Sequence, residues 1–309
     1  MKVAILFPGY SNQYVGMGKE LYDSSRLVQE YFEEASNCLD VNFVKLCFAS
    51  SDIEMGKMGN AYTSLFLVNN SVYALLKERG ITPDIFCGYN DGEFSALCAA
   101  GSISFPDGLY LLNKYCVLYQ DFFKNSDIAF ISLKGKNAQE TKQLCTQLQG
   151  NNFPIEIGMY LGSLEHVLVG PRESIEQVRV LVVDQKGVSI DLVDNEQGIH
   201  ASFAQKLVDE YKMYLEKVDF KDISIAIFSS IIGTEVQSGA IIKDLFLKHM
   251  TNSLSFVKVL AHLYLYDVVV LPIKAKKLSK QIQSMYPNMQ QVTIQTMSDI
   301  ELLQTSLSE

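Results

Sequence analysis

The chain has 309 residues, 48% of them apolar and 20% charged, and its net charge is −9 from 26 basic and 35 acidic residues. That is material for one large domain, or for a large domain with a smaller one inserted, and it excludes a disordered chain. The acidic balance and the absence of a long basic run speak against nucleic acid or an anionic membrane as partner. No stretch reaches the roughly 18–20 apolar residues needed to span a bilayer.

The opening segment "MKVAILFPGYSNQ" places Lys2 before an apolar run that stops at Pro8-Gly9. The run is shorter than the roughly 7–15 residues of a secretory leader. It reads as a first buried strand over residues 3–9, followed by a helical region from about Gly18 through "KELYDSSRLVQEYFEEASNCL". In "NAYTSLFLVNNSVYALLKERG", Leu65, Val68, Val72, Leu75 and Leu76 recur at helical spacing and Gly80 marks the stop. "DIFCG" is a short buried strand. "SFPDGLYLLNKYCVLYQDFF" begins another helix, with Pro106 and Asp107 in its first turn.

From about 127 to 197 the pattern changes to four short strands, "DIAFISLKG", "FPIEIGMYL", "EHVLVG" and "VSIDLV", with helical segments at 137–149 and 172–186. The order β-α-β-β-α-β is a ferredoxin-like signature. The helix "SFAQKLVDEYKMYLEKV" and the strands "ISIAIFSS" and "DVVVLP" then resume the first pattern. The expected architecture is α/β with a largely parallel sheet, a large domain at 1–126 and 198–309 and a small one at 127–197. Six cysteines in apolar segments, with no CxxC or Cys/His spacing, suggest buried thiols of a reducing cytoplasm. Neither a metal nor another cofactor is implied.

The stretch "FCGYNDGEFSAL", residues 86–97, has the layout of a nucleophile elbow, a sharp strand-to-helix turn that lifts one side chain over a pocket. Its tip is Asn90, whose carboxamide cannot attack an ester or thioester.

These pieces carry a family likeness. "LFPGYSNQYVGMG" resembles the opening FPGQGSQ…GMG of the malonyl-CoA:acyl carrier protein transacylases and polyketide synthase acyltransferase domains. "ITPDIFCGYNDGEFSALCAAGSISFPDGLYLL" resembles their PDxxxGHSxGExxALxxAGxxxxxDxLxL. "GIHASF" is similar to their histidine segment and "LFLKHMTNSLSFVKVL" to their LxxQLxxPVxW. The likeness runs over nearly the whole chain. It implies an α/β-hydrolase-like core with an inserted ferredoxin-like subdomain and a carrier protein or polyketide synthase component as partner, with acyl-CoA as a further ligand. Its reaction moves an acyl group through the elbow serine to a phosphopantetheine thiol. A histidine activates the serine, and backbone amides of the elbow and opening loop hold the oxyanion.

Residue by residue, the chain departs from that pattern. The serine position is Asn90 and the preceding histidine position is Tyr89. The opening-loop glutamine position is Tyr10, the malonyl-binding arginine position Tyr115 and the late glutamine position His249. His200 stands where the base stands. Asp91 is offset from the tip, and its carboxylate beside the oxyanion site would repel developing negative charge. Tyr10, Tyr89 and Tyr115 read as fillers of a vacated pocket, and His249 as an ordinary helix residue. Two functions stay open: a non-catalytic homologue that binds or scaffolds a partner, or an altered acyltransferase or thioester hydrolase that uses His200 without a covalent serine intermediate.

Overall fold

The computed structural model describes residues 1–193 and 198–308. The expected boundary at 197 lies outside the described residues. The described residues form eleven strands: β1 (Val3–Phe7), β2 (Ile85–Gly88), β3 (Ile128–Lys134), β4 (Glu156–Gly162), β5 (Glu165–Pro171), β6 (Ser189–Leu192), β7 (Ile227–Phe228), β8 (Glu235–Val236), β9 (Leu254–Ser255), β10 (Val268–Leu271) and β11 (Gln290–Thr293). Before the elbow lie helices α1 (Lys19–Ser24), α2 (Arg26–Leu39), α3 (Phe43–Ala49), α4 (Asp52–Gly56) and α5 (Met58–Glu78); after it come α6 (Gly92–Ala99) and α7 (Phe105–Lys124). Helices α8 (Ala138–Gly150) and α9 (Arg172–Val182) accompany β3–β6. The remainder are α10 (Gln205–Leu215), α11 (Gly239–Thr251), α12 (Phe256–Leu263), α13 (Lys276–Met285) and α14 (Met297–Ser308).

Among the described residues these strands form two sheets. The first runs β11-β10-β1-β2-β7-β8, parallel throughout except for the antiparallel β7–β8 pair. Every residue of β1, β2 and β10 is buried, as a sheet covered on both faces requires. Ile5, Phe7 and Phe86 point into the larger core with the apolar residues of α5 and α7. Ala4, Leu6, Ile85 and Cys87 point into a second core with Val259, Leu260 and Leu278 from α12 and α13. Cys87 is therefore a core thiol.

The second sheet runs β6-β3-β5-β4-β9. Within it β3, β4, β5 and β6 pair antiparallel, while β9 joins β4 in parallel. β9 lies outside the 127–197 segment, so this sheet recruits a piece of chain from beyond it. Two residues are too few for a strand pattern to be visible in sequence.

Three expectations are corrected. The helical stretch 19–39 breaks at Ser25, which is extended (φ −133°, ψ 122°) and accepts from the Val28 amide to cap α2. Of "ISIAIFSS" only Ile227 and Phe228 pair as a strand. Cys38 is exposed rather than buried. No helix of the described residues is long and apolar enough to cross a membrane.

The core sheet leaves no room at two glycines that frame the elbow. A Cβ on Gly92 would lie 2.1 Å from the Phe7 carbonyl oxygen, and one on Gly88 would lie 2.2 Å from the Glu93 nitrogen. Both obstacles are backbone and cannot rotate away. Gly92→Ala is expected to cost at least about 3 kcal/mol in denaturant unfolding, as a strong overpacking lesion. Gly59→Ala, in the first turn of α5 with nothing within 4 Å, should gain up to about 1 kcal/mol in the same measurement.

Candidate active site at the elbow

The turn that joins β2 to α6 is fixed by backbone. Tyr89 donates its N–H to the Phe7 carbonyl at 2.9 Å, tying the end of β2 to the end of β1. The amides of Gly92, Glu93 and Phe94 then donate to the carbonyls of Tyr89, Asn90 and Asp91 at 3.0, 3.1 and 3.0 Å, so the turn winds directly into helix. Asn90 sits at the tip with φ +54°. Asn is one of the few residues that enters this left-handed region readily. Its side chain is nearly buried.

His200 reaches the same place from far along the chain, buried and also at positive φ (+48°). Its Nδ1 lies 2.6 Å from the His249 carbonyl oxygen. A carbonyl only accepts, so Nδ1 carries a proton, and when the ring is neutral its lone pair is on Nε2. His249, in the last turn of α11, donates from Nε2 to the Asn90 carbonyl at 3.2 Å. The two imidazoles meet edge to face at 4.9 Å. Burial, and then the neighbouring His200, push His249 down to about 3, so it stays neutral near pH 7. His249 therefore ties His200 to the elbow, a role that helical periodicity does not reveal. Glu93 was also missed by sequence reasoning, although it stands in the quoted motif: its Oε1 accepts from the Ser230 amide at 2.9 Å and its Oε2 lies 3.8 Å from His249 Nε2.

Tyr115 faces the same space. Gly198 has φ +91°, and a Cβ there would lie 2.7 Å from His200 Nε2 and 3.2 Å from the Tyr115 hydroxyl oxygen. Only glycine satisfies both the backbone and the space. Around Tyr115 the rings of Tyr62, Tyr119, Tyr211 and Phe94 lie 5.8–6.2 Å away, a buried aromatic cluster. Tyr10 belongs to its edge: the ring sits 5.5 Å from Tyr62 and the hydroxyl reaches the Gly56 carbonyl at 3.4 Å.

The backbone of Tyr10 meets the elbow. Its N–H donates to Asp91 Oδ1 at 2.6 Å, and the Asp91 amide holds the same carboxylate. Asp91 is 4% exposed. A small cavity of about 10 Å³ adjoins Asn90, lined by Gly88, Tyr89, Met159, Leu161, Ser230, Leu254 and Phe256. No charged side chain is among these lining residues. The second sheet thus supplies part of the wall, through Met159, Leu161 and Leu254. Among the described residues no group of three or more His, Cys, Asp or Glu is arranged to hold a metal.

Burial pushes the Asp91 carboxyl up from 3.8 to about 7, against the lowering effect of the Tyr10 amide and its own. A carboxyl raised in the folded state stabilises the fold fully below its unfolded value, and that contribution is lost as the pH rises through about 7. Asp91→Asn removes the titration but keeps an acceptor oxygen. Its melting temperature, relative to the parent, should therefore rise by several degrees between about pH 5 and pH 8. A difference that does not change with pH contradicts the buried, cation-free carboxyl.

Residues 5–298 match the acyl transferase domain family. The malonyl CoA-acyl carrier protein transacylase of Bacillus subtilis is 26% identical over 267 residues, which span 86% of this chain and 66% of that relative, just under two thirds of its length. Among solved structures, the malonyl CoA-acyl carrier protein transacylase of Coxiella burnetii superposes with a TM-score of 0.92 at 17% identity, over 100% of this chain and 98% of that one. A malonyl-transacylase in complex with a type II PKS acyl-carrier protein gives 0.89 at 17% identity, over 99% and 100%. At these identities the likeness establishes a shared fold. By its match over nearly the whole sequence, the chain belongs to the acyl transferase domain family.

Proposed function

We propose that the chain is a malonyl-CoA:acyl carrier protein transacylase-like protein of fatty-acid or polyketide biosynthesis that lacks transacylase turnover and binds or scaffolds a carrier protein or synthase partner. In this reading residues 1–126 and 198–309 form an α/β-hydrolase-like domain and 127–197 a ferredoxin-like insert. The observation that carries the proposal is Asn90 at the tip of an otherwise intact elbow. The turn, its positive φ and the link through His249 to His200 are all in place, while the atom that would attack a thioester is an amide. A site of this kind without its nucleophile retains roughly 10³–10⁴ over water, far short of a transferase.

Two further features support it. A malonyl thioester carries one free carboxylate, and burying that carboxylate without a cation costs several kcal/mol. The position resembling the family's arginine holds Tyr115, whose hydroxyl offers one neutral donor. The cavity beside Asn90, about 10 Å³, is far below the roughly 300–1,000 Å³ of ordinary ligand pockets.

The test is incubation with labelled malonyl-CoA and acetyl-CoA, with and without a holo carrier protein, followed by intact mass of both proteins. The expected result is no adduct on either. A malonyl mass gain mapped between residues 86 and 98 overturns the reading. Acylation of the carrier without an enzyme adduct overturns it in favour of direct transfer assisted by His200. Restoring Asn90→Ser alone should leave malonyl transfer near background, because repair of one member of a concerted set recovers little. Turnover of order 1 to 10³ per second in that variant would mean that Asn90 is the only lesion.

A further inference from the structure

We propose that Asp91 is an internal ligand of the oxyanion site: its carboxylate occupies the two backbone amides, Tyr10 N–H and Asp91 N–H, that would otherwise hold the oxygen of a reacting acyl group. The inference rests on reading the elbow as a transacylase site, and it explains how that site is closed by a group other than Asn90.

The geometry separates this role from helix capping. Asp91 stands at the N-cap of α6, where an aspartate ordinarily accepts from an amide one turn into its own helix. Here it makes no such bond. Its carboxylate turns instead to the opening loop and accepts from Tyr10 at 2.6 Å. The loop is shaped for it. A Cβ on Gly9 would lie 2.5 Å from Asp91 Oδ1 and 2.2 Å from the Tyr89 carbonyl oxygen, so the bare glycine lets the carboxylate in.

Among the described residues, the groups that favour the charged carboxylate are these two amides. The ionisable groups that feel it are the phenols of Tyr62 on α5, Tyr115 on α7 and Tyr89 in the turn, all of which it discourages from ionising. A buried carboxylate without a cation depends on charge-assisted bonds from amides. A substrate oxyanion would need the same two donors and would carry the same sign of charge within a few ångströms. The resident group is tethered to the chain, so it competes at a high effective concentration. One oxyanion donor is worth about 10²–10³ in rate; Asp91 withholds both.

An alkyl fluorophosphonate reads this directly and needs no arginine. A serine at the tip attacks phosphorus, the P–O bond forms, the P–F bond breaks, fluoride leaves and the hydroxyl proton passes to His200 Nε2; the phosphoryl oxygen needs the oxyanion donors. Three variants are compared by intact mass over time: N90S, N90S/D91L and N90S/D91N. The proposal expects N90S to label no faster than the parent and N90S/D91L to label at least about 10²-fold faster. N90S/D91N, whose Oδ1 can still accept but without charge, should fall between. Thermal denaturation checks that each variant is folded, and N90S/D91N decides if the leucine variant is not. If N90S labels as fast as the double variants, or if no double variant labels, Asp91 is not what closes the site. Either result leaves the parent without a nucleophile and so leaves the proposed function standing. A malonyl adduct on the unmodified chain would sink that function without bearing on Asp91.

Discussion

The constraint on which the site depends is the contact between the end of β1 and the start of α6. The Phe7 carbonyl accepts the Tyr89 amide and at the same time lies where any side chain on Gly92 would have to be. Strand, turn and helix are thereby locked to one another by backbone alone, with two glycines as the condition. The lock places Asn90 at the tip in a left-handed conformation and brings the opening loop, with Gly9 and Tyr10, against Asp91. It depends on no catalytic side chain. A turn fixed in this way holds its shape independently of the chemistry of the side chain at its tip.

The polar groups of the site form connected pairs. His200 gives its proton to the His249 carbonyl, His249 gives one to the Asn90 carbonyl, and Glu93 takes one from the Ser230 amide. Each pairing satisfies a group that burial would otherwise penalise by about 1–3 kcal/mol. Burial, and then the neighbouring His200, keep His249 neutral against the raising effect of its bond to the Asn90 carbonyl. The Asn90 tip carries an amide, whose N–H groups donate hydrogen bonds but are not given up as protons near pH 7. The tyrosines at 10, 62 and 115 fill the neighbouring volume with apolar rings, and the cavity that is left has apolar walls drawn partly from the second sheet.

Much of this was legible in the sequence for identifiable reasons. β1, β2 and β10 are unbroken apolar runs, and the elbow announces itself through glycines four apart between an apolar strand and a helix. The βαββαβ order of the second sheet follows from alternating short runs and amphipathic helices. What was not legible depends on contacts across the chain. β9 has two residues and exists because β4 is beside it. An aspartate at an N-cap reads as a cap, and only the position of Gly9 shows that it faces the opening loop instead. His249 lies 159 residues from the Asn90 carbonyl it reaches, and no helical pattern predicts that meeting. Ser25 divides a continuous amphipathic stretch because its extended backbone lets its hydroxyl cap the second half.

The central claim is that this elbow binds without transferring. It is tested most directly by titrating the chain into isotope-labelled holo carrier protein in the presence of malonyl-CoA, and following the carrier's amide and prosthetic-arm resonances together. The account predicts saturable shifts of the carrier amides while the arm remains a free thiol. Appearance of the malonyl thioester at a rate that scales with the chain's concentration would contradict it.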